Sequence, residues 1–390
     1  MRALPFALLL VASCVAPPAP LPFAPASASA APDPSVAGPF AVGVRTVTYE
    51  DNGRKKPDGS PRLLVTEIWY PAAVGTSGDG AQYDLTTSFT DAQRASMVDA
   101  GVVLPVLTTA AVRDAAPDKD HGPYPLIVFS HGQGGMRWQS TFYTVALASH
   151  GYVVVSPDHE GGTLADAARN ELQSVPIGLD YRPQDVKLLI QRYVKLPAAD
   201  PLNGLVDTEH IGVTGHSFGG LTSLRAAVLD ERIDAIVPMA PPSTDISWVG
   251  FDPKPVLTIP VMVQGGGKDL TLDYTEHIVP TWNDLKQPRW LLNIVDGGHF
   301  TFSDLCEFDL GRVIAGASLE IPGASNVDRT LSDGCKPPAP PSSVAQPLMN
   351  HFAVGFFNAH LRGSTQSLSL LSQSKADALA PGAAQVTADP

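Results

Sequence analysis

The sequence predicts an α/β fold, with a mostly parallel central sheet, helices on both faces and a site at the carboxyl ends of the strands. Three observations predict it. From residue 125 to 361, short apolar runs alternate with segments of helical periodicity. Tyr124-Pro125-Leu126-Ile127-Val128-Phe129-Ser130 is apolar almost throughout, as a strand covered on both faces should be. Gly215-His216-Ser217-Phe218-Gly219 follows another such run and precedes Leu221, Leu224, Ala227 and Val228, which recur at helical spacing.

Taken in order, 41–50 and 62–70 alternate as the first two strands. A polar insertion follows over 73–123, with a short helix expected at 91–102. Strands are then expected at 125–130, 152–156, 210–214, 234–239, 259–264 and 290–295. Helices are expected at 138–149, 184–195, 218–229, 273–286 and 347–361. In the 184–195 segment, Val186, Leu189, Ile190 and Val194 share one face. Residues 318–345 read as loop. The expected organisation is a signal at 1–30, a linker at 31–39, one domain at 40–362 and a mobile low-complexity tail at 363–390.

The pentapeptide at 215–219 carries the chemistry. A serine attacks a carbonyl only if its hydroxyl is held out on a sharp turn from strand to helix. Small flanking residues let the backbone make that turn. The following helix offers free N–H groups to a developing negative charge. Ser217 is therefore the expected nucleophile of an α/β-hydrolase fold. A chance match in a glycine-rich turn is the bland alternative, but strand and helix flank it in the right order.

The remaining parts follow from that order. His131-Gly132-Gln133-Gly134-Gly135 ends the 125–130 strand, so the amides of Gln133 and Phe218 are the expected oxyanion donors. The base must follow Ser217, which leaves His277, His299, His351 and His360. His299 sits just past the 290–295 strand and is chosen; the other three fall on helices. The acid is placed at Asp269, past the 259–264 strand, with Asp273 and Asp296 as alternatives. His131, His216, Trp248 and Phe300 are expected to line the substrate cleft, although Trp248 reads equally well as a residue packed under a loop.

Several stretches carry a resemblance: Glu67-Ile68-Trp69-Tyr70-Pro71-Ala72, Phe129-Ser130-His131-Gly132, Ala148-Ser149-His150-Gly151-Tyr152-Val153-Val154, Ser156-Pro157-Asp158-His159 and Gly215-His216-Ser217-Phe218-Gly219-Gly220. With them, residues 40–362 resemble the platelet-activating-factor acetylhydrolase-like and dienelactone-hydrolase-like α/β-hydrolases, a group that includes bacterial polyester (PET) hydrolases. The resemblance implies an esterase. The mammalian acetylhydrolases place their acid after the strand that follows the nucleophile helix. Here that stretch, Ile236-Val237-Pro238-Met239-Ala240-Pro241-Pro242, has no carboxylate. The resemblance is thus nearer to the dienelactone and polyester branches, and the serine nucleophile departs from the cysteine of dienelactone hydrolases.

Composition narrows the class. The 390 residues carry a net charge of −13 without a basic cluster, which argues against nucleic acid and anionic membrane surfaces as partners. Met1-Arg2 and the apolar run 3–11 form an export signal, too short to span a bilayer. Cleavage after Ala28-Ser29-Ala30 would give a soluble product, secreted or periplasmic. Cleavage before Cys14, after Val11-Ala12-Ser13, would give a lipid-anchored envelope protein. Removing Cys14 leaves Cys306 and Cys335, an even pair in an oxidising compartment, and a disulfide is expected. No Cys/His group has metal-ligand spacing. The expectation is a monomeric serine ester hydrolase that needs no metal or other cofactor and acts on a small or polymeric ester. A peptidase or amidase with the same triad, and a non-catalytic envelope binding protein, are the rivals.

Overall fold

In a computed structural model, residues 31–56, 59–247, 255–308, 310–317 and 333–390 are described. The readings of residues 1–30, including Cys14, and that of Trp248 lie outside the described residues.

Alternation of side chains builds the central sheet. Along β5, Leu126 and Val128 face one hydrophobic core while Ile127 and Phe129 face the other. The strands are β1 (Ala41–Lys55), β2 (Pro61–Ala72), β3 (Gly80–Tyr83), β4 (Leu107–Arg113), β5 (Tyr124–Ser130), β6 (Val153–Pro157), β7 (Val206–His216), β8 (Ala235–Met239), β9 (Val261–Gly266), β10 (Arg289–Ile294) and β11 (Ala384–Asp389). Among the described residues they form one sheet, in the order β11-β10-β9-β8-β7-β5-β6-β2-β1-β4-β3. The run from β6 through β5, β7, β8 and β9 to β10 is parallel. Strand pairs β1/β2, β2/β6, β3/β4 and β10/β11 are antiparallel.

The helices are α1 (Asp91–Asp99), α2 (Thr141–Ser149), α3 (Leu164–Ala168), α4 (Val175–Val194), α5 (Phe218–Leu229), α6 (Thr244–Ser247), α7 (Val279–Asp284) and α8 (Leu310–Gly316), then Ser342–Leu361, Thr365–Ser369 and Gln373–Leu379. Tyr143 and Leu147 of α2 join Leu348, Phe352 and Phe356 of the Ser342–Leu361 helix in one core. Val186, Leu189 and Ile190 of α4 join Leu224 of α5 in the other. The two cores are the covered faces of the sheet. Among the described residues no helix is long and apolar enough to cross a membrane.

Four differences from the sequence expectation have physical causes. Helix α4 begins at Val175, not 184, and runs through Pro183. Proline leaves the carbonyl one turn back without its helical N–H donor. Arg225 Nε supplies the missing donor to Leu179 O at 2.9 Å. The 73–123 insertion is not merely a loop with a helix. Its β4 pairs with β1 and carries β3, so the insertion widens the sheet. The 31–39 linker packs on α2, with the Phe40 and Gly38 amides donating to Ser149 O and Oγ.

The fourth is the tail, which is corrected from mobile to folded. Strand β11 pairs with β10 from Arg289↔Asp389 to Ile294↔Ala384, and Arg289 bonds Asp389. Leu371 and Ala376 are buried behind it. The small residues Ala384 and Val386 on alternate positions suffice for an edge strand, yet in composition the segment looks like low-complexity sequence.

Candidate active site

The turn at Ser217 combines a strained backbone with close backbone approach. Ser217, between β7 and α5, has φ +56°, a region that L-residues avoid at roughly 1–2 kcal/mol. Its amide donates to Met239 O at 2.8 Å, which ties the turn to β8. A Cβ on Gly219 would stand 1.9 Å from Ser130 O, and one on Gly215 would stand 2.5 Å from the same oxygen. These two positions must be glycine for β5 and α5 to meet here.

His299 opens a short 3₁₀ turn just past β10, and Asp269 follows β9. His299 Nε2 lies 2.9 Å from Ser217 Oγ, and Nδ1 lies 2.7 Å from Asp269 Oδ2. Asp269 Oδ1 accepts the amides of Thr271 and Leu272 at 2.9 and 2.7 Å. One carboxylate oxygen is therefore committed to the backbone and the other to the imidazole. Asp269 and His299 are 3% and 4% exposed, while Ser217 is partly open to solvent. In such a chain the imidazole can take a proton from the serine while the carboxylate stays ionised and holds Nδ1–H. The rival acids stand apart from it: Asp273 is exposed and caps the 274–278 turn, and Asp296 is exposed. Of the rival bases, His277 accepts the Ser243 amide, His351 contacts Leu370 O, and the His360 ring packs tilted against those of Trp290 and Phe356.

The 131–135 loop runs beside the serine: a Cβ on Gly132 would be 3.4 Å from Ser217 Cβ. Among the described residues the Gln133 amide donates to no protein group. Phe218, as the first residue of α5, has no helical acceptor for its own amide. Both N–H groups are thus available at the mouth of the Ser217 turn.

Two histidines expected to line the cleft are buried behind it instead. His131 Nδ1 donates to Gly132 O at 2.6 Å, and its Nε2 accepts the His159 amide at 3.0 Å. His216 Nε2 donates to His299 O at 2.9 Å, and its Nδ1 accepts from Gln139 Nε2 at 2.6 Å. Burial pushes both imidazoles well below the usual histidine range, with the neighbouring Arg182 adding to the effect at His131 and His299 adding to it at His216. Both are neutral brackets with every ring nitrogen spent. Gln139 completes a bridge, since its Oε1 accepts the Gly132 amide at 2.9 Å. The loop beside the serine and the loop carrying His299 are thereby joined through one glutamine and one histidine. Phe300 sits half-buried with its ring against that of His299.

Asp333 was not legible in the sequence. Its Oδ2 accepts the Leu270 and Thr271 amides and the Thr271 hydroxyl at 2.8–2.9 Å, and its carbonyl accepts the Phe300 amide at 2.8 Å. Burial, with the charge of Asp269 nearby, raises its carboxyl above the usual range. It braces the acid loop against the base loop. Two residues on, Cys335 is bonded to Cys306, with the Cα atoms 5.0 Å apart. A bridge closing 29 residues stabilises by about 3–4 kcal/mol in the chain-entropy model. The double variant Cys306→Ser/Cys335→Ser is expected to melt earlier. If the chain hydrolyses esters as its sequence predicts, that activity is also expected to be lost at a temperature below the unfolding midpoint, because the brace on His299 loosens first. Parallel activity and melting curves check this; coincident curves would show that the bridge serves global stability alone. Among the described residues no group of three His, Cys, Asp or Glu side chains is arranged to hold a metal.

Comparison with known proteins agrees with this architecture. A family model described as PET hydrolase-like matches residues 117–315, and one described as platelet-activating factor acetylhydrolase, isoform II, matches residues 26–169. Cutinase est2 of Thermobifida alba is 25% identical over 184 residues, 47% of this chain and 55% of the cutinase. Bis(hydroxyethyl) terephthalate hydrolase of Streptomyces coelicolor is 25% identical over 182 residues, 46% of this chain and 52% of that protein. Platelet-activating factor acetylhydrolase of Cavia porcellus is 23% identical over 285 residues, 63% of this chain and 59% of that protein. The chain thus spans about half the length of the cutinases it matches. A ferulic acid esterase from Streptomyces cinnamoneus superposes with a TM-score of 0.63 at 23% identity, over 94% of this chain and 100% of its own, and shows the same fold. With its first model covering just over half of the residues, the chain belongs to the PET hydrolase-like family of α/β-hydrolase proteins.

Proposed function

We propose that the protein is an exported serine carboxylic-ester hydrolase. The observation that carries the reading is the continuous hydrogen-bonded chain from Asp269 through His299 to Ser217 Oγ. Ser217 Oγ attacks the ester carbonyl as its proton passes to His299 Nε2. The carbonyl oxygen becomes an oxyanion, held by the Gln133 and Phe218 amides. The tetrahedral intermediate collapses, the carbon–oxygen bond to the alcohol breaks, and His299 returns the proton to the departing alcohol. Water, deprotonated by His299, then attacks the acyl-Ser217, and the released serine recovers its proton. Asp269 keeps the imidazole in the tautomer with Nδ1 protonated and stabilises the imidazolium. These steps need no metal or other cofactor.

The names of the relatives, cutinases, a terephthalate ester hydrolase and an acetylhydrolase, favour short-acyl, lipid-like or polyester substrates. The Cys306–Cys335 bridge favours an oxidising compartment, in keeping with the export signal expected from the sequence. A panel tests the reading: p-nitrophenyl acetate to palmitate, bis(2-hydroxyethyl) terephthalate, polyester film and peptide p-nitroanilides. The short esters are expected to turn over far faster than the anilides. Anilides matching or exceeding the esters would make the protein a peptidase or amidase, and a dead panel would leave a binding protein on this scaffold.

A further inference from the structure

A buried cation stands directly behind the two oxyanion amides. Arg182, on α4, is 2% exposed. Among the described residues no carboxylate makes a salt bridge with it. Its guanidinium is spent on neutral oxygens instead. Nη1 donates to His131 O at 2.8 Å. Nη2 donates to Gln133 Oε1 at 2.9 Å, to Gly162 O at 3.2 Å and, at 3.4 Å, to Gly132 O. The guanidinium carbon lies 4.7 Å from the centre of the Phe218 ring. One side chain therefore touches both arms of the oxyanion site: the loop that carries the Gln133 amide and the residue that carries the other.

Its partners are arranged in a way that bears on the amides themselves. The Gly132 carbonyl and the Gln133 N–H belong to one peptide unit. That carbonyl accepts from His131 Nδ1 at 2.6 Å and from the Gly135 amide at 3.2 Å, as well as facing Arg182. The preceding peptide is held at both ends, its carbonyl by Arg182 and its amide by Gln139. Donors crowded on one carbonyl polarise the peptide and make its N–H a stronger donor. The Gln133 N–H is the end left over for a ligand. A cation that has few counter-charges is costly to bury. The fold also makes room for it: a Cβ on Gly162 would come 2.4 Å from Nη2. Burial brings the guanidinium down to about 9, which leaves it charged at neutral pH. The charged groups near it are committed elsewhere, Asp185 to Arg62, Arg54 and His159, and Asp166 to Arg169 and Thr163.

We propose that Arg182 is a positioning residue of the oxyanion hole, fixing and polarising the 131–133 loop and clamping the Phe218 ring so that both amides are fully expressed only when an oxyanion forms. The proposal rests on the esterase reading above. Its test uses the purified full chain with Arg182→Lys, Arg182→Gln, Arg182→Met and Ser217→Ala. Four quantities are measured: kcat per phosphonate-titrated active site (per mole of protein for Ser217→Ala, which has no serine to titrate), KM for p-nitrophenyl acetate, the inhibition constant of phenylboronic acid, and the melting temperature. The boronic acid becomes a tetrahedral anion on the serine and so reports the same donors as the transition state.

The Gln and Met variants are expected to lose roughly 10–100-fold in kcat and a similar factor in boronate affinity, since each weakens donors whose outright loss costs about 10²–10³-fold. KM is expected to stay within about threefold, because the neutral ester uses these donors little. Lys, which keeps the charge without the fork, is expected to fall between them and wild type, and it serves alone if Gln and Met fail to fold. A scaffold role would lower the melting temperature and the titrated fraction while leaving per-site kcat and boronate affinity within about twofold of wild type; that result in any folded variant overturns the proposal. If Ser217→Ala keeps the wild-type rate, the esterase reading itself has failed, and the two failures are told apart in one experiment.

Discussion

Ser217→Ala is expected to lower kcat on p-nitrophenyl acetate by about 10⁴-fold or more, with the fold retained. The geometry gives the reason for so large an effect. On the proposed mechanism Ser217 Oγ forms the acyl bond, and His299 Nε2 faces it at 2.9 Å. Alanine keeps the Cβ, so the strained φ of +56° and the close packing of Gly215 and Gly219 against Ser130 are unchanged. The turn therefore persists while the nucleophile is lost. Circular dichroism and a melting curve check the fold, and initial rates with a long time base check the residual activity.

Asp269→Asn is expected to cost about 10²–10⁴-fold in kcat, also without unfolding. Two backbone amides, those of Thr271 and Leu272, point at Oδ1. An asparagine must turn its oxygen towards them, which leaves its NH₂ group facing His299 Nδ1. That arrangement favours the imidazole tautomer with its proton on Nε2, directed at Ser217 Oγ, where a base cannot accept another proton. Asp273→Asn and Asp296→Asn are expected to stay within a few-fold of wild type, because both side chains are exposed and neither contacts His299. Steady-state kinetics of the three variants decide it. A severe loss in Asp296→Asn with Asp269→Asn near wild type would move the acid to another loop.

The sheet was legible wherever strands are buried on both faces. The runs at 125–130, 234–239, 259–264 and 290–295 are apolar enough to stand out, and the observed β5, β8, β9 and β10 fall within two residues of them. Edge elements were less legible. Strand β11 needs only Ala384 and Val386 on its inner side, and β3 and β4 lie in a polar insertion. The first half of helix α4 was not legible, because the donor that replaces the N–H missing at Pro183, Arg225, comes from another helix. The same limit applies at the site. Ser217, His299 and Asp269 are marked by local turns after strands, which a linear pattern records. Gln139, Arg182 and Asp333 act across 77, 51 and 62 residues, to His216, His131 and Thr271, and no local pattern marks a side chain by the distant loop it holds. His131 and His216 show the converse. Their neighbours in sequence are at the site, yet their own rings point inward to bonds within the protein.

The central claim is that Ser217 carries the acyl group, and labelling tests it most directly. The purified protein is treated with a fluorophosphonate, digested, and mapped by tandem mass spectrometry while residual p-nitrophenyl acetate hydrolysis is followed. The account predicts one adduct, on Ser217, formed in proportion to the loss of activity and absent from Ser217→Ala. An adduct on another residue that tracks the loss of activity, or full inactivation with Ser217 unmodified, would contradict it.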